Sequence, residues 1–160
     1  MFDQILGLPA HALIIHFAVV LTPLLVAVAA AYAVVPRWRA HTSWAVVLLA
    51  LAAPTSVYAA KESGESLKSA RFAEADGELG ARIATHESFA APLLFSALGL
   101  GAAALLLVFA TSPVRASVAR DRFGKGVTLA LSAVTLAVAA VAGYYVFQAG
   151  DSGARAVWGG

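Results

Sequence analysis

Four stretches of this 160-residue chain contain no Asp, Glu, Lys or Arg: Gln4–Pro36, Ala40–Ala60, Ser88–Val114 and Gly126–Gly150. Each is at least as long as the ~20 apolar residues with which a helix crosses the ~30 Å hydrocarbon layer of a bilayer. Within that layer every backbone N–H and C=O must find a partner in the protein, so only helices and closed barrels span it. A barrel needs short segments of alternating polarity, and runs such as Leu24–Val35 do not alternate. The pattern predicts an all-α polytopic membrane protein, a single domain over residues 1–160 built as a bundle of four transmembrane helices. Composition agrees. Hydrophobic residues make up 61% of the chain, charged residues 12%, and the mean hydropathy is +0.82, far from the balance of soluble domains.

The expected spans run from about Leu8 to Val35, Ser43 to Ala60, His86 to Thr111 and Gly126 to Phe147, with a polar segment, Lys61–Thr85, between the second and third. Positively charged loops stay in the cytoplasm. The Pro36–His41 turn and the Arg115–Lys125 loop carry Arg37, Arg39, Arg115, Arg120, Arg122 and Lys125 against one acid, Asp121. The other side sets Lys61, Lys68, Arg71, Arg82 and Arg155 among more numerous acids, including Glu62, Glu65, Glu78, Glu87 and Asp151. Both termini and the polar segment are therefore expected on the external side of a multi-pass cell-membrane protein. Met1-Phe2-Asp3-Gln4 lacks the basic start of a signal peptide, so the first span is expected to be retained. The net charge of +2 and pI near 9.2 come from residues beside the spans, where orientation accounts for them. Nucleic acid is excluded as a partner, and the lipid bilayer takes its place.

Gly99 and Gly101 on the third span, with Ala130, Ser132, Ala133, Ala137 and Ala140 on the fourth, permit close helix approach in lipid. They suit a compact bundle and are compatible with a homo-oligomer. Pro23, Pro54 and Pro92 lie inside spans, where each removes a backbone donor and tends to kink its helix.

Ionisable residues inside a membrane are costly and mark functional sites. His11 lies at the outer start of the first span, His16 five residues deeper, and His86 opens the third span beside Glu87. Five residues rotate a side chain by about 140° on an ideal helix, so His11 and His16 do not share a face. His41 falls in the cytoplasmic turn and is expected to be solvated. Leu79, Ile83 and Ala90 share a helical face with His86, so the third helix is expected to begin before the membrane.

Three readings of the histidines stay open on the residues alone. His16 or His11 could pair with His86 as axial ligands of b-type haem between helices, with outer lysines and arginines neutralising its propionates. A zinc, copper or iron ion could lie between His11, His16, His86 and a carboxylate of Glu62, Glu65 or Glu87. The histidines could instead only tie helices together by hydrogen bonds. The chain has no Cys, which removes thiolate metal sites, disulfides and covalent c-type haem. No Gly-x-Ser-x-Gly, P-loop or His-Glu-x-x-His pattern occurs, so a hydrolase is unsupported and no independent catalytic activity is expected. Lys61-Glu62-Ser63-Gly64-Glu65-Ser66-Leu67 and Gly150-Asp151-Ser152-Gly153-Ala154, both small, polar and on the histidine side, read as caps of a site or as turns at helix ends.

The opening Leu8-Pro9-Ala10-His11-Ala12-Leu13-Ile14-Ile15-His16-Phe17, then Ser63-Gly64-Glu65, His86-Glu87 and Gly150-Asp151-Ser152-Gly153-Ala154, in that order, resemble the domain-of-unknown-function 2231 group of small bacterial membrane proteins over nearly the whole chain. Members usually have Pro after the first His, where this chain has Ala12, and some have His in the tail, where this chain has Asp151. Related domains occur joined to Rieske-type iron–sulfur modules, so the resemblance implies redox company. Together the readings lead to an expected membrane electron-transfer accessory protein. It holds b-type haem through His16 and His86, with His11 as alternate or supporting partner, and serves an external redox partner. The alternatives are a zinc- or copper-binding or transport protein and a structural subunit without cofactor.

Overall fold

The computed structural model describes residues 4–5, 8–111 and 122–158. Arg115, Arg120 and Asp121 of the basic loop lie outside that range. A two-residue antiparallel pairing, β1 (Gln4–Ile5) with β2 (Leu8–Pro9), leads into α1 (Ala10–Val34). After a 3-10 turn, Pro36–Trp38, come α2 (Arg39–Arg71), α3 (Gly77–Ser88), α4 (Ala90–Thr111) and α5 (Lys125–Trp158). Four of these helical units are long and apolar enough to cross a membrane, α3 and α4 together forming the third. Their outer faces carry Phe17, Phe95, Leu129 and Phe147, all more than half exposed, an apolar exterior that lipid matches and water does not.

The helices form a ring in the order α1, α2, α4, α5, each packed on its two neighbours. Consecutive spans are antiparallel. The starts of α1 and α4 therefore share one end of the bundle with the far ends of α2 and α5. A core of Leu25, Tyr32, Val46, Leu100 and Leu107 fills the middle and the opposite end. A second cluster, with Ala18, Val57, Leu93, Ala97 and Val146, lies toward the shared end.

At the opposite end α1 stops because Pro36 disfavours helical backbone at Val35, which sits at φ −115° and ψ 83°. This leaves the last carbonyls of α1 without helical partners. Arg39, buried at the start of α2, donates Nε to Tyr32 O (3.1 Å) and Nη2 to Ala33 O (3.2 Å), and lies over the Tyr32 ring. A cation at a helix C-terminus also complements the helix dipole. Tyr32 Oη and Thr111 Oγ1, 2.9 Å apart, then join the ends of α1 and α4.

The prolines act in different ways. Pro92 is the third residue of α4. It cannot donate to Ser88 O, and its ring would clash with that carbonyl in a continuing helix. The helix breaks at Phe89, whose N–H turns to His86 O (3.2 Å). Pro54 leaves Ala50 O without its helical donor, and that carbonyl faces Gly101 of α4, where a Cβ would sit 2.7 Å from the oxygen. Pro23 lies on an exposed face of an unbroken α1.

Two expectations change. The polar segment Lys61–Thr85 is largely helical, because α2 runs on to Arg71 and α3 begins at Gly77. At 33 residues α2 is about 50 Å long, well beyond the hydrocarbon thickness, and its polar end is held by within-helix charge pairs such as Lys61–Glu65. The glycine-bearing tail is likewise helix, since α5 continues through Gly150–Ala154 to Trp158.

Gly101→Val forces side-chain bulk against Ala50 O and Pro54. It is expected to destabilise the bundle by about 1–3 kcal/mol, the usual cost of overpacking, read as a lowered thermal midpoint in detergent. Gly99→Ala, whose new methyl would meet Val138 at an ordinary 3.5 Å, should leave that midpoint in place.

Candidate functional site

At the shared end the helices diverge around a cavity of about 620 Å³. Its walls are mostly apolar: Ile15 and Ala18 from α1, Val57 from α2, Leu79 and Ile83 from α3, Leu93 from α4, Val146 from α5. Two imidazoles enter it, His11 from the first turn of α1 and His86 from the last turn of α3. The face expected to carry Leu79, Ile83, His86 and Ala90 is a cavity wall.

Each imidazole is fixed by a neighbouring helix. His11 Nδ1 lies 3.0 Å from Ser63 Oγ and 3.1 Å from Ala60 O on α2. Ser63 Oγ itself donates to Ala60 O at 2.9 Å. A carbonyl only accepts, and the serine proton is committed to it, so the shared hydrogen on the ring side belongs to His11 Nδ1. The neutral ring then carries its lone pair on Nε2, which has no hydrogen-bond partner among the described residues. His86 repeats the arrangement on α5. Its Nδ1 is 3.1 Å from Ser152 Oγ, and Ser152 Oγ donates to the Ala149 carbonyl at 3.2 Å. Glycine makes both approaches possible: a Cβ on Gly64 would lie 3.1 Å from His11 Cε1, and one on Gly153 would lie 3.0 Å from His86 Cε1.

Charge gathers at the cavity rim. Lys61 pairs with Glu65 within α2, and Lys68 reaches Glu87 at 2.5 Å, joining α2 to α3. These pairs are partly solvated and screened, so they add little to stability. Arg82 pairs with Glu78 and Arg155 with Asp151, each one turn along its own helix. Glu62 is close to Lys61.

The ring facing His86 across the cavity is thus His11. His16 is exposed, and its Nδ1 lies 2.5 Å from Ala12 O of its own helix. Rotation along α1 turns it away from the interior despite its greater depth. The carboxylates Glu65 and Glu87 reach the wall already engaged by lysines. Among the described residues no three of His, Asp and Glu converge closely enough to hold a metal ion, so His11, His16, His86, Glu65 and Glu87 do not form one ligand set. His41 is exposed near the start of α2. Ser63 and Ser152, read from the sequence only as members of segments that cap a site or turn at helix ends, are the hydroxyls that meet the two rings. Their signal is a short string occurring twice, Ala-x-acid-Ser-Gly at 60–64 and 149–153.

Gly153→Ala is expected to lower the unfolding midpoint by pressing on the His86 ring, whereas the same change in a His86→Ala background has nothing to displace and should be nearly neutral. Comparing the four proteins by thermal unfolding isolates that contact. In comparison with known proteins, no family model, no curated protein and no solved structure matches the chain.

Proposed function

We propose that the chain is a membrane electron-transfer subunit that holds one b-type haem between His11 and His86. One observation carries this reading: two imidazoles in a common apolar cavity, each with Nδ1 tied to a serine hydroxyl and Nε2 without a hydrogen-bond partner among the described residues. Histidines that ligate metals are oriented in this way, the second nitrogen donating to a fixed acceptor so that the ligating lone pair is aimed and its basicity raised. The cavity volume falls within the ~300–1,000 Å³ of small-molecule and cofactor sites, and cofactor sites of helical bundles form between facing helices. Lys61 and Lys68 line the wall and would exchange glutamate for propionate.

Haem supplies reversible one-electron chemistry, and ligation by both histidines leaves no open iron position, which favours electron transfer over oxygen chemistry and over independent catalysis. His11 takes the role first given to His16. A zinc or copper site is the weaker reading, because the cavity offers two imidazoles with no third free ligand. The basic residues Arg37, Arg39, Arg122 and Lys125 lie at the end of the bundle away from the cavity. By the positive-inside tendency the cavity and both termini then face outward from the cell membrane, toward an external redox partner. The resemblance to the domain-of-unknown-function 2231 group, with its Rieske-joined relatives, supports the same company.

Protein purified in mild detergent with haem supplied is expected to show a Soret band and, on reduction, the sharp bands of six-coordinate low-spin iron. His11→Ala and His86→Ala should each abolish the low-spin spectrum, and His16→Ala should preserve it. A cavity-filling Ala149→Phe should block uptake. Absence of any Soret band sinks the proposal; stoichiometric zinc or copper without porphyrin would replace it with the metal-ion reading, and loss of stability alone on histidine replacement would leave a structural subunit.

A further inference from the structure

Ala60-Lys61-Glu62-Ser63-Gly64 and Ala149-Gly150-Asp151-Ser152-Gly153 share alanine, acid, serine and glycine in the same places. In each, the serine hydroxyl donates to the alanine carbonyl and meets Nδ1 of a histidine from another helix, and the glycine lies against that ring. Chemistry alone therefore equates His11 with His86 and Ser63 with Ser152. No freedom remains to slide one helix along another for a better match.

With the register so fixed, burial repeats. Every buried residue of α1, namely Ala18, Thr22, Leu25, Ala29, Tyr32 and Ala33, has a counterpart at the same interval beyond His86. Those counterparts, Leu93, Ala97, Leu100, Ala104, Leu107 and Val108, are all buried. Counted back from the serines, five of the eight buried residues of α2, Val57, Ala53, Ala50, Val46 and Arg39, have buried counterparts in α5, Val146, Ala142, Ala139, Thr135 and Thr128, and the counterparts of Leu49, Pro54 and Ala60 are half-buried. A helix turns 3.6 residues per turn, so an arbitrary offset would carry core positions to the lipid face. The ring order is compatible with such a relation: a half turn about the bundle axis exchanges α1 with α4 and α2 with α5. Parallel repeats about an axis along the membrane normal are an established membrane architecture, with ligand sites at the repeat interface.

We infer that the bundle is a duplicated helical hairpin whose cavity is a pseudo-two-fold site, built to grip one ligand through two equivalent imidazole nitrogens. The ligand class is one that presents two equivalent, opposed positions to nitrogen lone pairs. Naming haem as its member rests on the function proposed above, since the two axial positions of a porphyrin iron meet that description. Ser63 and Ser152 are positioning residues: they touch no ligand and act by fixing which ring nitrogen carries hydrogen.

The test is the nitrogen-15 NMR spectrum of full-length, histidine-labelled protein in detergent, before and after haem. Without haem, His11 and His86 should both be Nδ1–H tautomers. Ser63→Ala should shift the tautomer ratio of His11 alone by about fivefold, the worth of one hydrogen bond, and Ser152→Ala should do the same to His86 alone. Ser63→Thr and Ser152→Thr, which keep the hydroxyl, should restore the ratios and guard against misfolding as the cause. With haem, both Nε2 signals should change together, and the two alanine variants should move the reduction potential in the same direction. Different tautomers at the two rings, or sensitivity to only one serine, overturns the two-fold site even if a Soret band is present. Matched tautomers and matched serine effects without haem uptake uphold the two-fold site and remove haem as its ligand.

Discussion

An imidazole cannot lie flat against a helix within hydrogen-bond reach of its carbonyls unless the side chain beside it is missing. At both walls of the cavity that condition is met by a glycine immediately after the serine, Gly64 on α2 and Gly153 on α5. Much of the bundle's shape serves this contact. The receptor helices are long, 33 and 34 residues, and extend past the apolar layer to present their Ser-Gly turns where the neighbouring helices begin. The donor helices α1 and α3 are shorter; His11 sits in the first turn of α1 and His86 in the last turn of α3, just before α4 begins. The imidazoles are thereby gathered at one end, and the middle of the membrane-crossing region is left to aliphatic packing with a few buried hydroxyls, Thr22, Ser96, Ser132 and Thr135.

The opposite end has a complementary task, since two spans must be joined there by a very short turn. Arg39 satisfies the carbonyls that Pro36 strands at the end of α1, and Tyr32 with Thr111 fixes α1 to α4 across the ring. Breaking one buried member of such a set strands polar groups where water cannot reach them. In the middle, the carbonyl released by Pro54 is accommodated by the bare face of Gly101. These elements hold the helices in register, and the register aims His11 and His86 at one cavity.

The four spans were legible because charge is excluded from lipid, and the cavity face of α3 was legible from the spacing of Leu79, Ile83 and His86. Other parts were hidden for definite physical reasons. Hydropathy marks where apolar chain ends, not where helix ends, so the polar residues after Ala60 read as a segment between spans although Lys61–Glu65 and Arg82–Glu78 have the spacing that supports helices. Depth favoured His16 as the residue most in need of a partner. Facing decides instead, and an almost uniformly apolar helix does not declare which of its faces is inward. The doubled Ala-x-acid-Ser-Gly string is visible in the sequence, but five residues at distant places acquire meaning only when each is found beneath a histidine.

The two halves agree in the core and differ at the rim. Around the imidazoles the alanine, serine and glycine positions match, so two nitrogens meet a ligand on equal terms. At the mouth, Lys61, Glu65 and Lys68 of α2 and Glu87 of α3 line one side, whereas the corresponding turn of α5 carries an Asp151–Arg155 pair within its own helix. The connections differ too, a 3-10 turn joining α1 to α2 and a longer segment joining α4 to α5. A duplicated hairpin preserved at its centre and altered at one edge suits a ligand with the same division: equivalent opposed positions at the middle and one charged margin. The haem b proposed above would share that division, and Lys61 and Lys68, which line the cavity from the α2 side, would be the cations available to its propionates in exchange for Glu65 and Glu87.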